Sequence, residues 1–235
     1  MSHLTGSARA RYVRAMFTRI AGRYDLMNRL MTFGQDGAWR RRVIGLAELP
    51  PGGALLDLGA GTGDLALEVR RRHPDARVVA GDFTLAMLQV GQQRPGGPAI
   101  RWAGTDALNL PFPDRTFDAV VSGYLMRNVA DLPRAWAEQF RVLKPGGRVV
   151  CLDTTPPPAN WLRPFILIHL RLVIPTLGRL VAGDDAAYRY LPDSTEGFLA
   201  AEALVDRMRA AGFEGVRFER LMLGTMAIHS GQRPA

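Results

Sequence analysis

Between residues 54 and 153, short apolar runs alternate with segments whose apolar positions recur every three or four residues. ALLDLG (54–59) has the composition of a buried strand, and TGDLALEVRRR (62–72) that of the helix after it. The pattern repeats in RVVAGD (77–82), AIRWAG (99–104), FDAVVSG (117–123) and GRVVCLD (147–153) as strands. TLAMLQVGQQR (84–94) and LPRAWAEQFRVL (132–143) read as helices between them. Strands separated by helices predict an α/β fold, a mostly parallel sheet with helices on both faces.

The flanks differ. Residues 8–48 are arginine-rich and helical in pattern, with Tyr12, Val13, Met16, Phe17 and Ile20 on one stripe. Gly22, Gly34 and Gly37 are predicted to divide this N-terminal cap into short helices. Residues 160–192 hold a long apolar segment, 161–183, interrupted by Arg163, Arg171, Pro175 and Arg179. No uninterrupted stretch reaches the ~20 apolar residues of a membrane span, so a helical lid or an interface-lying element is expected. A helix at 197–212 and two strands, 213–223 and 225–233, close the chain as an antiparallel hairpin.

The chain has 235 residues, 47% of them hydrophobic, which suits one domain over 1–235 with its α/β core at 54–153 and its closing elements at 197–235. Disorder and a stapled mini-protein are excluded. Cys151 is the only cysteine, so no intrachain disulfide and no cysteine-based metal cluster can form. The four histidines, at 3, 73, 169 and 229, lack ligand spacing, and no metal site is expected. The formal charge of +8 rests on arginine, since Lys144 is the only lysine. It favours anionic partners, either nucleic acid or an acidic lipid surface. The N-terminus lacks a signal-peptide core, so a cytoplasmic location is expected.

Strand, GAGTG, helix is a nucleotide-loop pattern, in which Gly59, Gly61 and Gly63 let the backbone turn sharply and approach a ligand. A dinucleotide fingerprint would place glycine or alanine where Asp64 stands, and that charge would repel a pyrophosphate. A ligand without phosphate fits better. Asp82, about twenty residues on at the end of the next strand, can accept from both hydroxyls of a ribose. S-adenosylmethionine carries a ribose, an adenine, an amino group and no phosphate. Asp57, with Thr62 beside it, is expected to orient the amino group. The plainer alternatives are a tight turn at the glycines, a helix cap at Asp82 and a strand-end turn at Asp57.

GAGTGD, Asp82, DALNLPFPDRTFD (106–118) and RVLKPGG (141–147) resemble the Rossmann-like class I S-adenosylmethionine-dependent methyltransferases. YDLMN (24–28) with Trp39, MRNV (126–129), YRYL (188–191) and AIHSG (227–231) resemble, in the same order, the ubiquinone/menaquinone biosynthesis C-methyltransferase family. The resemblance implies a seven-stranded sheet, S-adenosylmethionine as cofactor and a prenylated quinol as substrate. It implies cofactor contacts at Thr62, Asp82, Asp106, Ala107 and Ser122, with Asp106 and Ala107 at the adenine edge. Thr32, Asp36 and DTT (153–155) depart from the family pattern, which has serine, histidine, and glutamate followed by serine. Asp36 alone changes the chemistry.

The resemblance also places Arg127 and Asn128 at the substrate. A guanidinium is a poor proton acceptor, so Arg127 is assigned to stabilising a quinolate oxygen or polarising a water, and Asn128 to orienting the same hydroxyl. A structural salt bridge is the alternative for Arg127. His229 has the pKa to take a quinol proton, yet a strand histidine can equally be a satisfied core residue. Tyr24, Tyr188, Arg189 and Tyr190 could close over the ring.

These residues lead to C-methylation of a demethylated prenyl-naphthoquinol, or a benzoquinol counterpart. The apolar segment and the N-terminal arginines would sit on an anionic membrane surface, and the lid or the hairpin could pair two chains as a homodimer. Two alternatives stay open: another small phenolic or lipid acceptor, and an RNA-binding module on the same scaffold. No nucleic-acid partner is expected, because no basic run is interleaved with aromatics.

Overall fold

The structure, a computed structural model, describes residues 6–182 and 185–235. Three helices form the N-terminal cap: α1 (Gly6–Ile20), α2 (Tyr24–Met31) and α3 (Asp36–Leu46). The core follows as β1 (Ala54–Leu58), α4 (Asp64–Arg72), β2 (Arg77–Asp82), α5 (Leu85–Gln92), β3 (Arg101–Gly104), β4 (Phe117–Gly123), α6 (Leu132–Val142) and β5 (Leu143–Thr154). The lid comprises α7 (Arg163–Ile168), α8 (Ile174–Leu177) and α9 (Asp185–Glu196), and α10 (Ala201–Ala210), β6 (Glu214–Leu221) and β7 (Met226–Gln232) close the fold.

The seven strands run in the order β3-β2-β1-β4-β5-β7-β6. All neighbours pair in parallel except β7, which is antiparallel to both β5 and β6. The expected mostly parallel sheet with a C-terminal antiparallel hairpin is therefore present. Strand order reverses between β1 and β4, and a ligand crevice opens at such a point outside the carboxyl ends of the strands.

Alternation along the strands sends side chains to two cores. Leu55, Val78, Val121 and Val150 meet Trp39 and Val43 of α3 and Val69 of α4 on one face. Leu56, Leu58, Val120 and Val149 meet Trp136 of α6 and Met208 of α10 on the other. A third cluster joins α1, α2 and the lid through Met16, Ile20, Met27, Leu170 and Ile174, and it roofs the carboxyl ends of the strands.

Three boundaries depart from the sequence pattern. The turn expected at Lys144–Gly147 is a bulge inside β5, whose ladder pairs Leu143 with Phe117 and resumes with Arg148 opposite Ala119. The break between α2 and α3 lies at Phe33 and Gly34, both at positive φ, whereas Gly37 is absorbed into the first turn of α3. In the lid, π-helical turns at His169–Val173 and Gly178–Ala182 follow α7 and α8, so that Arg163–Val181 is helical over 19 residues and long and apolar enough to cross a membrane by those criteria alone. Pro175 cannot donate to the preceding turn, and a widened turn accommodates the missing bond.

Trp102 locks the glycine-loop side of the sheet. Its Nε1–H donates to the Gly97 carbonyl at 2.8 Å. A Cβ on Gly63 or on Gly91 would lie 2.3 Å from the indole Cη2. Gly91→Ala is expected to lower stability by ~1–3 kcal/mol through overpacking, read as a fall in the urea midpoint at unchanged m. An unchanged midpoint would contradict this packing.

Candidate active site

The carboxyl ends of β1 and β2 bring two acids to the glycine loop. Asp82 Oδ2 accepts from the Gly61 N–H at 2.8 Å and Oδ1 from the Thr84 N–H at 2.7 Å. Asp82 thus both holds the loop and steadies the start of α5. Asp57 Oδ2 accepts from the Ala66 N–H at 2.9 Å, while its Oδ1 is buried with no hydrogen-bond partner. Burial pushes the Asp57 carboxyl up to about 7. A buried carboxyl with one oxygen unmatched is complementary to a cationic donor such as an ammonium.

An ion network ties the cap to this loop. Arg40 of α3 bridges Asp36 and Asp64, each at 2.6 Å, and Arg94 bridges Asp64 at 2.7 Å and Asp25 at 3.1 Å. The Thr62 hydroxyl donates to Asp25 Oδ1 at 2.6 Å. Asp36 therefore serves as an anchor for Arg40 and accepts at 3.3 Å from Thr32, the other residue that departs from the family pattern in this region.

The ends of β4 and β5 carry a second pair. Arg127 Nη1 donates to Asp153 Oδ1 at 2.6 Å and its backbone N–H to Oδ2 at 3.2 Å, with both side chains at most 5% exposed. The Arg127 guanidinium faces the Tyr124 ring at 5.4 Å. Asn128 donates from Nδ2 to the Tyr124 carbonyl at 2.9 Å and accepts from the Tyr190 hydroxyl at 3.0 Å. The structural salt bridge considered for Arg127 exists, and the same residue still walls a cavity.

Three cavities meet over these groups. One runs from Gly59, Gly61 and Asp82 to Asp106 and Ala107 under α1. A smaller one continues from Gly59 and Gly61 to Asp57, Thr62 and Arg40. The third is mostly apolar and lies between α1, α2 and the lid, with Met16, Ile20, Leu170 and Ile174 beside Arg127, Tyr188 and Tyr190. Tyr24 and Tyr124 line all three. Tyr124 was missed by the sequence reading. Its signal there is faint, a lone tyrosine following the β4 strand pattern.

Three expected site residues, His229, Ser122 and Gly63, line none of these cavities, and Arg189 is only partly described. His229, considered as a proton acceptor, is 2% exposed, stacks on Phe218 and has Nε2 3.0 Å from the Ala201 carbonyl. It pairs with Cys151 in mid-sheet and lines none of the three cavities, so it is a core histidine. Ser122 is wholly buried, pairs with Cys151 and lines none of these cavities, where Gly123 forms the wall. Arg189 lies in α9, and its side chain falls outside the described residues. Gly63 faces Trp102, making it a packing glycine.

Comparison with known proteins gives this geometry its family. The model of the ubiE/COQ5 methyltransferase family matches residues 5–233. The chain belongs to that family. It is 52% identical over 219 residues to the ubiquinone/menaquinone biosynthesis C-methyltransferase UbiE of Desulfotalea psychrophila, covering 93% of this chain and 89% of that one. It is 48% identical to the demethylmenaquinone methyltransferase of Thermus thermophilus, covering 93% of this chain and all of the other. Among solved structures, a SAM-dependent methyltransferase of Thermotoga maritima superposes with a TM-score of 0.64 at 21% identity, over 93% and 98% of the two chains. The [4+2]-cyclase SpnF superposes at 0.65 and 21% identity, over 85% and 81%. These likenesses establish the class I methyltransferase fold.

In this member of the ubiE/COQ5 family the unmatched Asp57 should be visible in stability. The folded carboxyl titrates near 7 and the unfolded one near its ordinary value of 3.8, so between those pH values the native state binds the extra proton. Stability from this group therefore falls as pH rises through that window. Asp57→Asn should gain on the wild type by on the order of 2 kcal/mol between pH 5 and pH 8 in urea unfolding of the ligand-free protein. A pH-independent difference would contradict the burial of an unpaired carboxyl.

Proposed function

We propose that this protein is an S-adenosylmethionine-dependent C-methyltransferase that methylates the ring of a prenylated quinol, with demethylmenaquinol as the leading substrate and a benzoquinol counterpart as the second. The observation that carries the proposal is the joining, at Tyr24 and Tyr124, of an acid-lined crevice to an apolar cavity beside Arg127. Names borne by the relatives, a C-methyltransferase of ubiquinone and menaquinone biosynthesis and a demethylmenaquinone methyltransferase, support the acceptor.

The crevice fits the cofactor. Asp82 would take the ribose hydroxyls, Asp106 and Ala107 the adenine, Gly59 and Gly61 the close backbone approach, and Asp57 with Thr62 the amino group. Burial around Asp57 and its unmatched oxygen suit a positive ligand. When bound, S-adenosylmethionine supplies a methyl group on a positively charged sulfur. The chain must then hold the ring against that methyl, keep water out and stabilise negative charge on the ring oxygen. Arg127, held by Asp153, supplies the charge; Asn128 and Tyr190 are joined to each other beside it and restrict the ring's orientation. Apolar side chains of α1, α2 and the lid would receive the hydrocarbon tail.

The protein should transfer label from radiolabelled S-adenosylmethionine to reduced demethylmenaquinone or to a demethylated benzoquinol. Asp82→Ala should reduce transfer by at least tenfold through weaker cofactor binding. Cofactor binding without label on either ring would overturn the quinol assignment.

The lid also supports an anionic membrane surface at the cytoplasmic face as the working location. Trp161, Phe165, Ile168 and Leu172 are each more than half exposed at helical spacing, while Ile166, Leu170 and Ile174 of the same run face inward. Exposed apolar side chains among arginines are the makings of an interfacial helix. Liposome flotation should rise with acidic lipid content and fall with salt. Flotation indifferent to acidic lipid would contradict this location.

A further inference from the structure

Methylation at a ring carbon asks the protein to hold negative charge on the neighbouring oxygen, and of the buried, unpartnered polar groups among the described residues Tyr124 alone lines all three cavities. Tyr124 has φ +60, a backbone conformation costly for a side chain of its size, and its N–H is pinned to the Leu152 carbonyl at 2.7 Å. That pinning sets the ring at the meeting point of the three cavities, beneath the Arg127 guanidinium. Its hydroxyl is buried and has no hydrogen-bond partner. Strained backbone and an unmatched buried hydroxyl both cost free energy, a cost that a ligand accepting from this hydroxyl would offset.

Resting on the quinol reading above, we propose that Tyr124 is a catalytic residue, donating its hydroxyl hydrogen to the ionised ring oxygen of the substrate while Arg127 supplies the compensating charge. Burial holds the phenol in its protonated form, above its ordinary range, so the hydroxyl is a donor at neutral pH. Arg127, which lines one of the same cavities, also leaves Nε buried without a partner. Two donors on one oxyanion are the arrangement that favours the phenolate over the neutral phenol.

The test uses the full chain, with Tyr124→Phe, a phenol probe and the quinol assay. The probe is 4-nitro-1-naphthol, whose visible absorbance reports ionisation. Wild-type protein should bind the phenolate in preference to the phenol, and Tyr124→Phe should weaken phenolate binding about tenfold or more while binding the phenol form equally. In the assay, kcat should fall roughly ten- to a hundredfold with KM for the quinol and the affinity for S-adenosylmethionine little changed. Equal phenolate affinity in the two proteins would overturn the assignment, as would a wild type that binds no phenolate. A Tyr124-dependent preference for phenolate in a protein that methylates neither quinol would uphold the donor and remove the quinol reading.

Discussion

Everything at the reactant end of the site depends on one buried ion pair. Arg127 and Asp153 sit at the ends of adjacent parallel strands with almost no solvent contact, and Asp153 accepts from both the guanidinium and the backbone of Arg127. Charges removed from water this completely persist only when each satisfies the other, and losing one partner of such a pair typically costs ~3–5 kcal/mol. The pair fixes the short turn Met126–Asn128, and through it Asn128, Tyr190 and the face of Tyr124. A guanidinium so anchored cannot swing to solvent, so its charge is already in place when a ring oxygen needs it.

The cofactor end has a different logic. There the chain offers backbone at Gly59 and Gly61, and one carboxyl, Asp57, that burial leaves partly unmatched, at a cost in stability that a cationic ligand would offset. Around that end the cap is held by ions, with Arg40 and Arg94 shared among Asp25, Asp36 and Asp64. Between the ends, Tyr24 and Tyr124 separate a polar crevice from an apolar chamber. The same sheet architecture in a cyclase shows that the architecture alone does not decide the chemistry. What distinguishes this chain is the helical roof and the wall that Arg127 and the tyrosines make.

Legibility in the sequence followed the range of the interaction. The glycine loop and Asp82 were readable because a turn and a strand end are local, separated by a single helix. The parallel core was readable because apolar runs and helical periods alternate cleanly. Residues 144–147 sit inside β5 as a bulge, because the ladder with β4 forms on both sides of them, at Leu143 and again from Arg148. His229 shows the limit of local sequence: a strand buried on both faces does not reveal which of its residues reach the crevice, and this one lies in mid-sheet opposite Cys151. Tyr124 was hidden because neither its positive φ nor its unmatched hydroxyl leaves a compositional trace.

The account's central claim is that an ionised ring, held against Arg127 and Tyr124, takes a methyl group on carbon. The most direct test is the position of the methyl in the product formed from carbon-13-labelled S-adenosylmethionine and reduced demethylmenaquinone. The account predicts a nuclear magnetic resonance signal of a methyl bonded to a ring carbon, with the second hydroxyl free. A methyl bonded to oxygen would contradict it, since the oxygen this structure shields with donors would then be the nucleophile.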